Sequence, residues 1–234
     1  MTATDSALLH IEDWGTSAYD EASTRQARLL SAHLSNAGTD TLILTQHPPT
    51  VTLGRRGSEA DLLCSESRFA DKGVTLHRIN RGGLATAHEP GQLVVYPVMR
   101  LPVKDLRHFT AGFLNTVIEV LAEYGLHGEL KAGNPGVWVR GRKICSFGIA
   151  LKRWVTSHGI ALNVNNDLST FELIIPCGVA TEKVTSLLHE TGQQAHMGQV
   201  KKQIVNHFCR QFGYRPVYVH KTIIQSISEQ SEIN

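Results

Sequence analysis

The sequence predicts an α/β fold: a single mixed-sheet domain with flanking helices. Helical and strand patterns alternate irregularly along the chain, and several strand patterns are joined by hairpin-like turns. With 234 residues, 41% of them hydrophobic, the chain is long enough to bury a full core as one domain. Hairpin steps make antiparallel neighbours, which disfavours a doubly wound parallel sheet.

The elements follow in order. Asp20 to Ala37 is the first predicted helix, because Ala22, Ala27, Leu29, Leu30 and Leu34 recur near the 3.6-residue period and Asn36-Ala37-Gly38 closes it. Thr41 to Thr45 is an apolar strand ending in the turn His47-Pro48-Pro49, and Thr50 to Leu53 runs into the loop Gly54-Arg55-Arg56-Gly57. Val74 to Asn80 alternates as a strand, the glycine loop Arg81-Gly82-Gly83 follows, and Gln92 to Val98 is another strand. Phe109 to Tyr124 has a helical pattern that stops at Gly125. Val137 to Val139, the turn Arg140-Gly141 and Lys143 to Leu151 form a hairpin, and Trp154 to Val164 reads as a further strand pair. Leu173 to Pro176 leads into Cys177-Gly178, and Val184 to Glu190 and Met197 to Phe212 are helical. No repeat or linker divides residues 1–220, and the polar tail 221–234 is expected to be disordered.

Charge and composition exclude several classes. A net charge of +2 without a long basic run argues against nucleic acid as a partner. The short basic clusters, Arg55-Arg56, Arg140 to Lys143 and Lys201-Lys202, read as solvated faces. Met1 to Trp14 carries Asp5, Glu12 and Asp13 and lacks the features of a secretory or mitochondrial leader. Apolar runs such as Leu93 to Val98 fall far short of the roughly 20 residues that span a bilayer. A soluble cytosolic protein with no membrane partner is expected.

Cys64, Cys145, Cys177 and Cys209 are scattered and form no CxxC pair, which disfavours both a disulfide framework and a structural zinc site. Three segments have the composition of a reactive site. In Arg81-Gly82-Gly83-Leu84-Ala85-Thr86-Ala87-His88-Glu89-Pro90-Gly91-Gln92, adjacent glycines expose backbone N–H groups, and Arg81 and His88 are expected to add donors toward a carbonyl or anionic ligand. A bare Arg-Gly-Gly would be an ordinary turn; the clustered Gly, Pro, Thr and His point to a ligand loop. Pro176-Cys177-Gly178 puts a thiol between small neighbours after an apolar strand, open to a bulky substrate, although a buried inert cysteine is the commoner case. Lys143 becomes chemically interesting if it faces that thiol. An ammonium about 4 Å away, at an effective dielectric of about 20, favours a thiolate by roughly 4 kcal/mol at most. A third of that would make thiolate abundant near neutral pH.

These segments resemble the lipoyl (octanoyl) transferases of protein lipoylation. The matching stretches are His47 to Gly57, Arg81-Gly82-Gly83 with Thr86, His88 and Pro90-Gly91-Gln92, Gly136-Val137-Trp138 with Lys143-Ile144, Ser157-His158-Gly159 with Ala161-Leu162-Asn163, and Ile175-Pro176-Cys177-Gly178. They run in the family's order from about position 45 to about position 188. The resemblance implies the fold of biotin and lipoate ligases, with residues 1–220 as the catalytic domain. It implies Cys177 as acyl-thioester nucleophile and Lys143 as the lysine that lowers its pKa. It implies a substrate cradle of Arg81, Gly82, Gly83, Leu84, Ala85, Thr86, Ala87, His88, Ser146, Phe147, Gly148, Gly159, Ile160 and Ala161.

The reaction so implied moves an octanoyl or lipoyl group from an acyl carrier protein thioester to a lysine of a lipoyl-accepting domain. The acceptors would be those of 2-oxoacid dehydrogenases and the glycine cleavage H protein. Thioester to amide is downhill, so no cofactor, ATP or metal is expected. Two rivals remain: an ATP-dependent lipoate or biotin ligase, and a non-catalytic lipoyl-domain or acyl-carrier binding protein. The chain departs from the family where Ala87 and Glu89 replace the usual Tyr and Gly beside the histidine. Loss of the ring is expected to widen the acyl pocket, and a carboxylate beside His88 to raise that histidine's pKa.

Overall fold

Hydrophobic alternation sorts the strands onto the two faces of one large sheet. A computed structural model describes residues 7–175 and 183–219. The elements are β1 (Ala7–Thr16), α1 (Tyr19–Leu34), β2 (Thr41–Gln46), β3 (Thr50–Leu53), α2 (Glu66–Asp71), β4 (Thr75–Arg78), β5 (Ala85–His88) and β6 (Gln92–Val98). There follow α3 (Leu106–Glu123), β7 (Glu129–Lys131), β8 (Asn134–Val139), β9 (Arg142–Lys152), β10 (Val155–Asn163), α4 (Leu187–Thr191), α5 (Met197–Phe212) and β11 (Tyr214–Tyr218).

Eight strands form the sheet in the order β11-β1-β2-β6-β10-β9-β8-β7. β1 runs parallel to both β11 and β2, and every pair from β2 to β7 is antiparallel, so the sheet is mixed as expected. A small sheet, β4-β3-β5, stands beside it. Residues i and i+2 of a strand share a face. Leu42 and Leu44 of β2 and Leu93 and Val95 of β6 therefore join the core under α3 and α5, with Phe113, Val117, Ile204 and Phe208. Ile43, Val94 and Tyr96 face the other way, with Trp14 and Ala22. The small sheet has its own core of Val51, Leu53, Phe69, Ala85, Ala87, Phe171 and Ile174.

Several boundaries differ from those predicted. The predicted strand pair 154–164 is one strand, β10 (Val155–Asn163); the reversal comes just before it, where Arg153 and Trp154 both take positive φ. α4 starts at Leu187 because Ser186 caps it, and Val184 is instead bridged to Lys143. α3 begins three residues early because the Asp105 carboxylate accepts from the N–H groups of Arg107 and His108. β1, β5, β7, α2 and β11 were not anticipated. Among the described residues, no helix is long and apolar enough to cross a membrane. The predicted tail 221–234 lies outside the described residues.

Candidate active site

Between the small sheet and the large one lies a cavity of about 520 Å³. All the expected cradle residues except Ala87 line it. Arg81 to Ala85, Thr86 and His88 come from the loop and strand β5, Ser146 to Gly148 from β9, and Gly159 to Ala161 from β10. Lys143, Asn134, Tyr19, Tyr96 and His158 complete much of the wall.

Close backbone packing builds this wall. Gly82 N donates to Ile149 O at 3.0 Å, which hooks the glycine loop onto β9. A β-carbon on Gly159 would stand 1.9 Å from Val95 O, so only glycine allows β10 to lie against β6 there. Beside it, His158 is held at φ +59, a left-handed conformation rare for a side chain of that size. Its Nε2 is 2.8 Å from Asn80 Oδ1, and its N–H donates to Gln26 Oε1 at 2.9 Å.

Arg81 lines the cavity, and its guanidinium donates to Thr52 Oγ1, Thr52 O, Gly82 O and Leu84 O at 2.7–3.2 Å, bonds that fix the shape of the loop. His88 differs from its expected role. Burial, then the neighbouring His47, takes its pKa down to about 3, and the ring is neutral. Gln92 Nε2 donates to Ala87 O and Asn163 Oδ1, which orients the amide and leaves Oε1 as the acceptor 2.8 Å from His88 Nδ1. The proton therefore sits on Nδ1, and Nε2 is an acceptor rather than a donor. His47 is arranged in the same way: Nδ1 donates to Ser17 O at 2.7 Å, and Nε2 accepts from the Tyr96 hydroxyl at 2.8 Å. Burial lowers the pKa of His47 as well, and takes that of His158 down to about 4.

The two departures in the loop do not act as expected. Strand alternation points Thr86 and His88 at the cavity and sends Ala87 into the core of the small sheet, so the missing ring does not widen the cavity. The Glu89 carboxylate turns away from His88. It accepts from Asn166 Nδ2 and Leu168 N at 2.8 Å and from Thr170 N at 2.9 Å, and the pKa of His88 falls rather than rises.

Lys143 is 2% exposed and, among the described residues, is the only buried lysine. Nζ donates to Asn134 Oδ1 at 3.0 Å and lies 4.7 Å from the centre of the Trp138 ring. Its backbone holds the returning chain: Lys143 N donates to Lys183 O at 2.8 Å, and Thr185 N donates to Lys143 O at 2.9 Å. Cys177 lies outside the described residues. The chain leading to it is anchored as far as Ile175, whose N–H donates to Asp61 O at 2.8 Å. Cys145 is fully buried, and burial pushes its thiol up to about 12, so it is inert. Among the described residues, no group of three His, Cys, Asp or Glu side chains is arranged to hold a metal ion.

Comparison with known proteins agrees with this architecture. The lipoyl protein ligase A/B catalytic domain matches residues 18–209. An octanoyltransferase of Chloroflexus aggregans is 43% identical over 204 residues, covering 85% of this chain and 92% of that protein. The crystal structure of a lipoate-protein ligase A bound with ATP superposes with a TM-score of 0.72 at 16% identity, covering 92% of this chain and 90% of the other. A biotin protein ligase from Aquifex aeolicus in complex with biotin and ATP gives 0.53 at 16% identity, covering 88% and 70%. Both likenesses are of fold.

Proposed function

This chain belongs to the lipoyl protein ligase A/B catalytic-domain family, and we propose that it transfers an octanoyl group from an acyl carrier protein thioester to a lysine of a lipoyl-accepting domain, through a thioester on Cys177. It is an acyltransferase of protein lipoylation. The observation that carries the reading is Lys143: a buried ammonium on the wall of an acyl-sized cavity, tied through its own backbone to the chain returning from the cysteine segment.

In this mechanism the Cys177 thiolate, favoured by the Lys143 cation, attacks the thioester carbonyl. Backbone N–H groups of the small-residue loops stabilise the tetrahedral oxyanion, which collapses with expulsion of the carrier thiolate. Lys143 gives a proton to the expelled carrier thiolate and becomes a neutral amine, and the acyl-enzyme remains. The acceptor amine then attacks that thioester and passes its extra proton to the neutral Lys143, and the amide leaves with Cys177 again a thiolate beside the Lys143 cation. Neutral His88, Nε2 outward, is an acceptor in the wall and takes no net charge from the reaction.

The test is transfer without nucleotide. Octanoyl carrier protein and a lipoyl domain, incubated with the enzyme and no ATP, should yield an octanoylated lysine by mass spectrometry. Product that forms only from free octanoate plus ATP would replace this reading with that of a ligase.

A further inference from the structure

Two arginines at the cavity mouth are left unused by this mechanism. Arg55 and Arg56 form the turn after β3, and both are exposed while lining the cavity. The turn is held down along its backbone. Gly54 N donates to Leu84 O at 3.1 Å, Arg55 N to Arg81 O at 3.0 Å and Arg56 N to Gly83 O at 3.2 Å. Both side chains therefore project from a fixed base on the glycine loop.

Among the described residues, some basic side chains pair with acids and others, such as Arg28, Arg68 and Arg153, do not; Arg55 and Arg56 are set apart by being adjacent and by lining the cavity. Arg25 pairs with Glu12 and Glu21, Arg78 with Glu59 and Glu66, Arg140 and Arg142 with Glu190, Arg210 with Glu119 and Lys201 with Asp13. Among the described residues, no ion pair involves Arg55 or Arg56. Nearby carboxylates are engaged elsewhere: Glu59 by Arg78, and Asp61 by the N–H of Ser58. Across the mouth, Asp105 caps α3. Two adjacent guanidiniums without a counter-ion, at the entrance through which a thioester must pass, suit a phosphate.

We propose that Arg55 and Arg56 bind the phosphate of the donor's arm, the phosphodiester that joins a carrier protein to its thiol-bearing chain. The proposal rests on the acyl-transfer reading above. It places the anion on the arm rather than on the carrier's own surface, because the pair lines the cavity and the arm must enter there to bring its thioester to Lys143.

The experiment uses the double variant Arg55→Gln/Arg56→Gln of the full chain and two small donors, octanoyl-CoA, which carries phosphate on the same arm, and octanoyl-pantetheine, which carries none. The ratio of kcat/KM for the first to that for the second should fall about tenfold or more in the variant, with most of the change in KM. An unchanged ratio would overturn the proposal. Binding to holo-carrier and to apo-carrier lacking the arm, read by fluorescence anisotropy, separates the two sources of negative charge. The variant should lose the holo-over-apo preference. Equal weakening of both would place the arginines against the carrier's acidic surface and overturn the assignment. If wild type transfers from no thioester, the acyl-transfer reading fails, and the holo-over-apo comparison still decides the phosphate site.

Discussion

Lys143 Nζ and Asn134 Oδ1 stand 3.0 Å apart, a hydrogen bond that joins the hairpin of β8 and β9 across the cavity wall. Asn134 is a neutral acceptor, so it fixes the ammonium's direction without cancelling its charge. Lys143→Ala should therefore raise the apparent pKa of Cys177 toward its ordinary value of about 8.5. Iodoacetamide alkylation of Cys177 followed against pH should show the midpoint move upward. Acyl-enzyme formation should slow most at neutral pH and partly recover in alkali. Lys143→Arg should hold the midpoint low and still transfer slowly, since a guanidinium gives up no proton at working pH.

Glu89 clamps the segment that leads to Cys177. Glu89→Ala would leave two backbone N–H groups without their acceptor and the Asn166 amide with only its bond to Asn163 Oδ1, at a cost of about 3 kcal/mol. Urea denaturation should show that loss, with Glu89→Gln less affected because it keeps an acceptor oxygen. A cost below about 1 kcal/mol for Glu89→Ala would deny the clamp.

The buried histidines predict how stability falls in acid. His88 has a folded pKa of about 3 against an ordinary 6.5, so the unfolded chain binds the extra proton first. Stability rises with pH across that window and is lost as pH falls from about 6.5 toward 3. At pH 5 the loss from His88 is about 2 kcal/mol, and His158 adds a similar amount. Urea melts at pH 7 and pH 5 should show the wild-type difference shrink by about 2 kcal/mol in His88→Gln. An undiminished difference would mean that His88 is not held neutral.

The strongly patterned parts of the fold were legible in the sequence. α1, α5, β2, β6 and the β8–β9 hairpin follow from apolar periodicity and Gly-containing turns. β1 and β11 were not: His10, Glu12 and Asp13 interrupt the apolar pattern of one, and Arg215-Pro216 that of the other, because edge-side positions face solvent. β5 was hidden inside a stretch that reads as a loop, and its four buried residues are small or polar. The expected cradle residues other than Ala87 line one cavity. Their roles were not legible, because the direction of a guanidinium, the tautomer of an imidazole and the partners of Glu89 depend on residues remote in sequence. Arg55-Arg56 read as a solvated pair, and both are exposed; that they also line the cavity was not legible, because the residues across that cavity are remote in sequence.

The central claim is a covalent octanoyl-cysteine, and intact-mass spectrometry followed by peptide mapping tests it most directly. Wild-type enzyme incubated with octanoyl carrier protein alone should gain the mass of one octanoyl group, on the peptide containing Cys177, and lose it when a lipoyl domain is added. Cys177→Ser should show no such adduct while retaining the wild-type circular dichroism spectrum. Absence of the adduct in an active wild type, or its location on Cys64, Cys145 or a lysine, would contradict the account.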